Sequence, residues 1–222
     1  MTDFDTVYRA RFEALSSTNI SDALDALGLR GATCGIRPLL LQWDKIVGQA
    51  VTMRMSAAGE TPQKTHLGMN AIAAAGAGDV IVIDNGGRMD TSCWGGVLAN
   101  GAKAKGISGT VIDGCCRDLD DCIDADYAVY ARGTVVQTAR GRVIEESTNQ
   151  MIQFGGVQVR PGDIVIGDRS GIVIVPKEHV DAVLDKAEQL WRREEEMIAE
   201  IRAGKDILAV DATYNYNKML GT

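Results

Sequence analysis

The chain has 222 residues, of which 45% are hydrophobic and 24% are charged, as in an ordinary globular domain. Its formal net charge of −7 excludes a general nucleic-acid binder, because a phosphate backbone is bound by a basic surface. No apolar run approaches the roughly 18 residues that a transmembrane helix requires, and the acidic N-terminus lacks the apolar segment of a signal peptide. We therefore expect one cytoplasmic domain over 1–222 that binds neither nucleic acid nor membranes.

The first third of the chain predicts helices at the N-terminus, followed by strands. Apolar residues recur at helical spacing over 4–15 and 20–27, which predicts two amphipathic helices. The segments 35–41 and 46–55 predict strands, and the second of them has the alternation of a half-buried strand. A third helix is predicted over 61–75, because a proline stands near its first turn and a glycine follows its end.

The centre of the chain predicts a βαβ unit. Residues 80–83 and 110–112 are short β-branched apolar runs, which are typical of buried strands. Between them, 97–105 is rich in Ala, Leu and Lys at helical spacing. Two strands joined in this way are parallel and adjacent, so both end at the same edge of the sheet. The polar segment 88–92 is expected to be a loop at that edge.

Three features that suit an anion and a metal ion should meet at this edge. The helix begins there, and the free backbone amides of its first turn can bind an anion. These amides belong to Gly95, Gly96, Val97 and Leu98. Arg117 offers a planar guanidinium for a carboxylate, and Asp118 offers a hard oxygen ligand for Mg²⁺ or Mn²⁺. The alternative is structural, with the glycines allowing close helix–sheet packing and Asp118 serving as a helix N-cap.

The cysteines and histidines argue against a site for a soft metal. Five cysteines without a Cys-x-x-Cys pair predict reduced thiols in a chain without an export signal. Cys115 and Cys116 adjoin Arg117, which could lower a thiol pKa, although buried side chains at a strand end are the simpler interpretation. The two histidines, His66 and His179, are too isolated to form a multi-histidine site and no cysteine cluster replaces one, so a bound metal would be held by oxygen. His66 is interpreted as a helix-surface side chain, with an acid–base role as the alternative.

The second half of the chain predicts further strands and one long helix. Strands are expected over 127–131, 135–138, 157–159, 164–166 and 172–175. Residues 157–159 and 164–166 should form a hairpin around the turn at 161–163, and 145–149 should be a polar connection. The apolar stripe and the terminal glycine of 177–203 predict the longest helix of the chain.

A motif around the predicted edge resembles the signature of a known family. It consists of Gly96, twenty residues, the pair Arg117-Asp118, two residues and Asp121. This spacing is similar to that of the RraA-like family, which includes the 4-hydroxy-4-methyl-2-oxoglutarate/4-carboxy-4-hydroxy-2-oxoadipate aldolases. The resemblance covers roughly Ser17 to Ala203. It includes the segments Ser21-Asp22-Ala23-Leu24, Gly48-Gln-Ala-Val-Thr52, Ala77-Gly78-Asp79-Val80, Phe154-Gly155-Gly156-Val157 and Val159-Arg160-Pro161-Gly162-Asp163.

The resemblance implies a fold, an assembly and a class of reaction. The fold would be α/β, a compact layered α/β/β sandwich with a parallel βαβ core, similar to the swivelling domains. The assembly would be a homotrimer or a homohexamer of two trimers. A site for pyruvate and a divalent cation would lie at the subunit boundary, which makes the expected activity that of a carbon–carbon lyase dependent on Mg²⁺ or Mn²⁺.

The resemblance also implies a role for each residue of the motif. Arg117 and the amides of the Gly95–Leu98 turn would hold the carboxylate of a 2-oxo acid, and Asp118 would anchor the cation. Asp121 would orient Arg117 from one helical turn away. A glutamate from a neighbouring subunit would complete the site. The candidates for it in this chain are Glu194, Glu195, Glu196 and Glu200.

Two reactions of such a site give the same pyruvate enolate. They are the retro-aldol cleavage of a 4-hydroxy-2-oxo acid and the decarboxylation of oxaloacetate. The aldolases carry an aspartate where this chain has Gly96, and glycine cannot hold the water that accepts the C4 hydroxyl proton. We therefore expect robust oxaloacetate decarboxylation, with cleavage of 4-hydroxy-4-methyl-2-oxoglutarate either weak or replaced by cleavage of another substrate. The alternative is a non-catalytic RraA protein that binds and inhibits a ribonuclease, which would need no metal ligand at position 118.

Overall fold

The structure is a computed structural model that describes residue 4 and residues 7–43, 45–62 and 65–215. Its helices are α1 (Arg9–Ala14), α2 (Ser17–Ala26), α3 (Met69–Ala74), α4 (Gly96–Ala104), α5 (Leu119–Asp124), α6 (Val180–Arg202) and α7 (Ile207–Tyr214). Its strands are β1 (Arg37–Pro38), β2 (Ile46–Ala57), β3 (Val80–Trp94), β4 (Gly109–Cys116), β5 (Val129–Thr134), β6 (Val143–Thr148), β7 (Ile152–Phe154), β8 (Val157–Val159), β9 (Ile164–Asp168) and β10 (Gly171–Val175). None of the described helices combines the length and the apolar character needed to cross a membrane.

Four parallel strands form the centre of the main sheet. The strand order is β1-β5-β4-β3-β2-β9-β10, and β6 pairs with the C-terminal part of β2. The pairs β2–β3, β3–β4 and β4–β5 are parallel, whereas β1, β6, β9 and β10 run antiparallel to their neighbours. The predicted βαβ unit is confirmed as β3-α4-β4, in which Ile83 lies opposite Ile112.

The long strand β2 joins two parts of the sheet, the β9–β10 part and the β3–β4–β5 part. These two parts pack on each other. The first residues of β2 pair with β9 and its later ones with β3. An apolar cluster between the two parts contains Val82, Val111 and Ile174, with Phe154 from the small β7–β8 hairpin. A second cluster packs α3, α4 and α5 on β2–β4, and a third packs α1, α2 and α6 on β9 and β10. The expected α/β/β sandwich is confirmed, with a further helical layer on the β9–β10 part.

The first strand of the βαβ unit is much longer than predicted. β3 takes in 88–92, which we expected to be a loop. Asp84 lies opposite Asp113 but Arg88 lies opposite Gly114, so extra residues bulge out of β3 without ending its pairing. Two glycines in this bulge have positive φ, which glycine adopts without steric cost. The polar composition of the segment gave no sign that the ladder resumes beyond a bulge.

Two of the predicted connections between strands are wrong. Residues 157–159 form β8, but β8 pairs with β7, and 164–166 lie in β9, which pairs with β2 and β10. The expected polar connection at 145–149 lies largely in β6, a half-exposed strand that adds to β2. Alternation and turn residues identify strands but not their partners, because partners are fixed by packing between distant parts of the chain.

Two elements are shorter than predicted, and the helices at the two ends agree with prediction. The helix expected over 61–75 begins only at Met69, after Gly68 in a left-handed conformation with φ of 81°. The segment 35–41 supplies only the two paired residues of β1. The helices over 20–27 and 177–203 are confirmed as α2 and α6. The helix over 4–15 is confirmed as α1 where it is described, and residues 5–6 lie outside the described residues.

Asp168, at the end of β9, ties the start of α2 to the sheet. Its carboxylate accepts hydrogen bonds from the Ser17 amide at 2.7 Å, the Ser17 hydroxyl at 2.8 Å and the Ser170 amide at 2.8 Å. Burial by itself raises the pKa of Asp168, but these hydrogen bonds and the charge of Lys45 outweigh it. The pKa of Asp168 therefore lies below its ordinary value.

We predict that Asp168→Asn lowers the free energy of unfolding at neutral pH by about 2 kcal/mol, because the charge-assisted hydrogen bonds are lost. A carboxyl with a lower pKa in the folded state stabilises the fold above its unfolded pKa of about 3.9, and this stabilisation disappears as the pH falls through the folded value. Urea unfolding of both proteins from about pH 7 to pH 3 should show their difference shrinking. The exposed Asp181→Asn is the control, and a difference that does not vary with pH would contradict the prediction.

Candidate active site

The ends of β3 and β4 bring the two parts of the motif together. Trp94, the last residue of β3, lies opposite Cys116, the last residue of β4. The amide of Arg117 donates to the carbonyl of Trp94 at 3.0 Å. Gly95, the N-cap of α4, therefore lies beside Arg117 and Asp118. The structure thus has the convergence that a parallel βαβ unit predicts at this edge.

Asp118 joins the two parts through its side chain. Its Oδ2 accepts a hydrogen bond from the Gly96 amide at 3.3 Å and lies 3.3 Å from Nε of Arg117. Although Asp118 precedes α5, its side chain makes no capping hydrogen bond to that helix. Asp118 therefore occupies the N-cap position of α5, as the structural alternative predicted, but its carboxylate faces the start of α4 and does not cap α5.

The two glycines allow the second part of the motif to approach α4. A Cβ at Gly95 would lie 2.6 Å from Oδ2 of Asp118. A Cβ at Gly96 would lie 2.5 Å from Cβ and 2.7 Å from Cγ of Asp121. Close packing is therefore one reason for these glycines, but the packing partner is the 117–121 segment and not the sheet. Asp121 stands against Gly96, while the ion-pair partner of Arg117 among the described residues is Asp118.

A cavity of about 100 Å³ opens at this edge of the sheet. The predicted site residues that line it are Gly95, Val97, Leu98, Arg117 and Asp118. Gly96 contributes its amide to Asp118, and Asp121 lies behind Gly96; neither lines the cavity. The amides of Val97 and Leu98 have no hydrogen-bond partner within the part of the chain that the structure describes. The turn for which the sequence predicts anion binding therefore lies at the cavity and has two amides that are unpartnered among the described residues.

His66 also lines the cavity, in a position that the sequence did not predict. It is not on a helix, because α3 begins only after Gly68. Its Nδ1 lies 3.0 Å from the carbonyl oxygen of Leu67. The interpretation of His66 as a helix-surface residue is wrong, and its side chain belongs to the cavity wall.

A segment without regular structure forms another wall of the cavity. Thr138, Ala139 and Arg140 line it, and the strand expected over 135–138 does not form there. The amide of Val135 donates to the carbonyl of Cys116 at 2.9 Å. The amide and hydroxyl of Ser92 donate to the carbonyl of Gln137 at 3.1 Å and 2.8 Å. These bonds hold the segment across the ends of β3 and β4, and no periodicity in the sequence indicates them.

The thiols of Cys93, Cys115 and Cys116, at the ends of β3 and β4, are buried and are not activated. Cys115 and Cys116 have no exposed surface. Burial raises the pKa of Cys115, and a hydrogen bond with Cys122, followed by burial, raises that of Cys116. Cys93 lines the cavity, but burial raises its pKa as well. A nucleophile requires the thiolate, so the structure does not support the alternative of a catalytic thiol at Cys115 or Cys116.

The cavity combines an excess of positive charge with one carboxylate. Arg117 and Arg140 line it together with Asp118, in a chain whose net charge is −7. Among the described residues, no group of three or more His, Cys, Asp or Glu side chains is placed to hold a metal ion. Asp118 is nevertheless compatible with Mg²⁺, since this ion is bound through one or two carboxylates while waters and substrate oxygens complete its shell.

The chain belongs to the RraA-like family, because the family model described as Aldolase/RraA matches residues 17–174. It is 31% identical over 203 residues to Protein DlpA of Legionella pneumophila, which covers 91% of this chain but 33% of DlpA. The chain thus spans about a third of the length of that relative. It is 33% identical over 189 residues to a Halalkalibacterium halodurans protein named "Putative 4-hydroxy-4-methyl-2-oxoglutarate aldolase", covering 85% of this chain and 86% of the relative.

Solved structures confirm the fold. An uncharacterized protein from Pseudomonas syringae pv. tomato strain DC3000 is similar with a TM-score of 0.81 and 32% identity, covering 90% of this chain and 94% of that one. RraAS2 of Streptomyces coelicolor, described as an unusual member of the RNase ES inhibitor RraA protein family, is similar with a TM-score of 0.79 and 28% identity. That similarity covers 87% of this chain and 96% of RraAS2. The relatives thus include both a protein named for aldolase activity and one named for ribonuclease inhibition.

We predict that Gly96→Ala lowers the free energy of unfolding by about 1–3 kcal/mol, because the new methyl group overlaps the side chain of Asp121. In the double variant Gly96→Ala/Asp121→Gly the two costs should not add, since Asp121→Gly removes the side chain that the new methyl group would overlap; we expect a coupling of about 1 kcal/mol. Gly101→Ala on the same helix is the control, because its Cβ would lie 3.8 Å from Ile72. The free energy of unfolding of Gly101→Ala should rise by about 0.5–1 kcal/mol. Urea unfolding that shows additive costs at 96 and 121 would refute the proposed overlap.

Proposed function

We propose that the chain is a carbon–carbon lyase that acts on a small 2-oxo acid and depends on Mg²⁺ or Mn²⁺. The observation that carries the proposal is the meeting of Arg117, Asp118 and the first turn of α4 at one cavity. The name of the Halalkalibacterium halodurans relative supports the same class of reaction.

The cavity offers donors for the carboxylate of a 2-oxo acid. The guanidinium of Arg117 matches a carboxylate in shape and charge. The amides of Val97 and Leu98 add two N–H groups at the positive end of the α4 dipole. The same donors favour the negative charge that develops on the oxo oxygen while the C3–C4 bond breaks. Arg117 would therefore both bind the substrate and stabilise the transition state.

Asp118 is the residue that would hold the cation. Its Oδ2 faces Gly96 and Arg117, while its Oδ1 has no hydrogen-bond partner among the described residues. When bound, a divalent cation supplies a Lewis acid for the developing negative charge. Asp118 thus positions the cation beside the same donors that hold the substrate carboxylate.

The two reactions of such a site differ in their need for a base. Decarboxylation of oxaloacetate releases carbon dioxide without removing a proton, whereas retro-aldol cleavage requires a group that accepts the C4 hydroxyl proton. Gly96 offers no side chain for this purpose, and the Asp121 carboxylate behind it does not line the cavity. His66, in the cavity wall, is the remaining candidate base, but it does not stand at the position where the aldolases carry their aspartate. We therefore propose that oxaloacetate decarboxylation is the stronger of the two activities.

We further propose that the chain works in the cytoplasm as a homotrimer or a homohexamer. Arg117 and Asp118 also line a second cavity, of about 420 Å³, together with Val136. Val136 is 95% exposed and Val97 is 73% exposed. Exposed apolar side chains on both sides of the site are what a neighbouring copy would cover.

The contacts of α6 reduce the number of candidates for the glutamate that would reach a neighbouring subunit's site. Glu194 accepts a hydrogen bond from Asn19 at 2.7 Å, and Glu200 pairs with Lys205 at 2.8 Å. These two carboxylates are engaged within their own chain. Glu195 and Glu196 are exposed on the same helix, so we propose that one of them supplies the cross-subunit carboxylate.

We predict that Asp118→Asn reduces oxaloacetate decarboxylation about 100-fold or more, because the cation loses its charged ligand. EDTA should abolish the activity of the unchanged protein, and Mg²⁺ or Mn²⁺ should restore it. Initial rates of pyruvate formation measure both effects, with Asp120→Asn as the neighbouring exposed control. Activity that survives both EDTA and the substitution at 118 would exclude the metal mechanism.

We predict that cleavage of 4-hydroxy-4-methyl-2-oxoglutarate is slower than oxaloacetate decarboxylation by on the order of 100-fold, since a missing general base costs about 10²–10⁴-fold in rate. The measurement is kcat/KM for both substrates with the same preparation and the same metal. Equal or faster retro-aldol cleavage would show that another group in the cavity acts as the base.

The second candidate function is the binding and inhibition of a ribonuclease, which the similarity to RraAS2 favours. A pull-down with a purified ribonuclease, followed by an RNA-cleavage assay, separates the two functions. Binding that inhibits cleavage, by a protein that decarboxylates no oxo acid, would replace the lyase proposal.

A further inference from the structure

We propose that Arg140 recognises a second carboxylate on the substrate, so that the site selects dicarboxylic over monocarboxylic 2-oxo acids. This inference rests on the proposed lyase function and concerns the same cavity. It assigns a specificity-determining role to a residue that lies outside the Gly96–Asp121 motif.

The position of Arg140 is fixed by its neighbours. It lines the cavity together with Arg117, although the two residues are far apart in the chain. Its amide donates to Oγ1 of Thr138 at 3.3 Å, and Arg142 donates to the carbonyl of Thr138 at 3.2 Å. The same segment is tied to β3 through Ser92. The backbone that carries the Arg140 guanidinium is therefore ordered before an anion binds.

The two arginines of the cavity differ in whether they have a carboxylate partner. The Arg117 guanidinium pairs with Asp118, whereas that of Arg140 has no carboxylate partner among the described residues. The charges lining the cavity are therefore two arginines against one carboxylate. A site that holds a divalent cation at Asp118 would be more positive still. Such a site favours a dianion over a monoanion, because each guanidinium can form charge-assisted hydrogen bonds with its own carboxylate.

The size of the cavity that Arg117 and Arg140 share limits how far apart the two carboxylates of a substrate can lie. At about 100 Å³ it is smaller than the pockets that hold drug-sized ligands, which measure roughly 300–1,000 Å³. A compact 2-oxo acid with four to six carbons and two carboxylates suits this space. One carboxylate would lie at Arg117 and the α4 amides, and the other at Arg140.

The test measures binding without turnover. Pyruvate has one carboxylate, and 2-oxoglutarate has two but carries neither the 4-hydroxyl group needed for retro-aldol cleavage nor a carboxylate β to its oxo group. Calorimetric titration of both acids, with Mg²⁺ present, compares the unchanged protein with Arg140→Gln. We expect this substitution to weaken 2-oxoglutarate binding roughly 10- to 100-fold and to change pyruvate binding by less than about twofold. Retained pyruvate binding also shows that the variant is folded.

Two further variants sharpen the result. Arg140→Lys keeps the charge but not the planar fork, so it should lose less affinity for 2-oxoglutarate than Arg140→Gln. Arg202→Gln removes an exposed positive charge at the end of α6 and should change neither affinity. With oxaloacetate, Arg140→Gln should raise KM more than it lowers kcat.

The outcomes separate this inference from the proposed function. If the unchanged protein binds and decarboxylates oxo acids while Arg140→Gln binds both acids as before, the role of Arg140 is refuted and the lyase stands. Equal weakening of pyruvate and 2-oxoglutarate would also refute it, because Arg140 would then not distinguish the second carboxylate. If the unchanged protein binds neither acid and forms no pyruvate from oxaloacetate, both proposals fail.

Discussion

The site depends on the pairing of β3 and β4 being maintained to the last residue of each strand. β3 is longer than β4 and bulges at several points along their pairing. Trp94 nevertheless lies opposite Cys116, and the Arg117 amide donates to the Trp94 carbonyl. Because the strands are parallel, the next residues of both emerge side by side. If β3 had left the ladder at its first bulge, the start of α4 would not be held against Arg117.

Around this rigid centre, the walls of the cavity come from chain without regular structure. One wall precedes α3 and carries His66, and the other follows β5 and carries Arg140. Hydrogen bonds from Ser92 hold the second wall to β3. The position of this wall is therefore set by β3, although the wall itself is not a strand. In the proposed function, Arg117 and the α4 amides at the strand ends would hold the substrate, and the two irregular walls would select among substrates.

The parts of the molecule that follow from local pattern were predictable from the sequence, and the parts that follow from distant contacts were not. The βαβ unit and the meeting of Gly95 with Arg117 follow from apolar periodicity and from the handedness of parallel crossovers. The pairing of β7 with β8 and of β6 with β2 depends on contacts between distant parts of the chain. The alternation of apolar and polar residues does not encode these contacts. Arg140 was missed for the same reason, since its segment is brought to the cavity by hydrogen bonds from Ser92 to Gln137 and from Val135 to Cys116.

The backbone at Asp118 has a consequence for how sequence variation in this family can be interpreted. Its φ of 53° and ψ of 48° are left-handed, and that conformation is tolerated by Gly, Asn and Asp but costs other residues about 1–2 kcal/mol. Chain geometry alone would therefore accept glycine or asparagine at this position as readily as aspartate. If Asp118 holds the cation as we propose, a relative that keeps this turn without the lyase chemistry is free to exchange aspartate for either of them. The identity of this single residue thus reports on chemistry separately from folding.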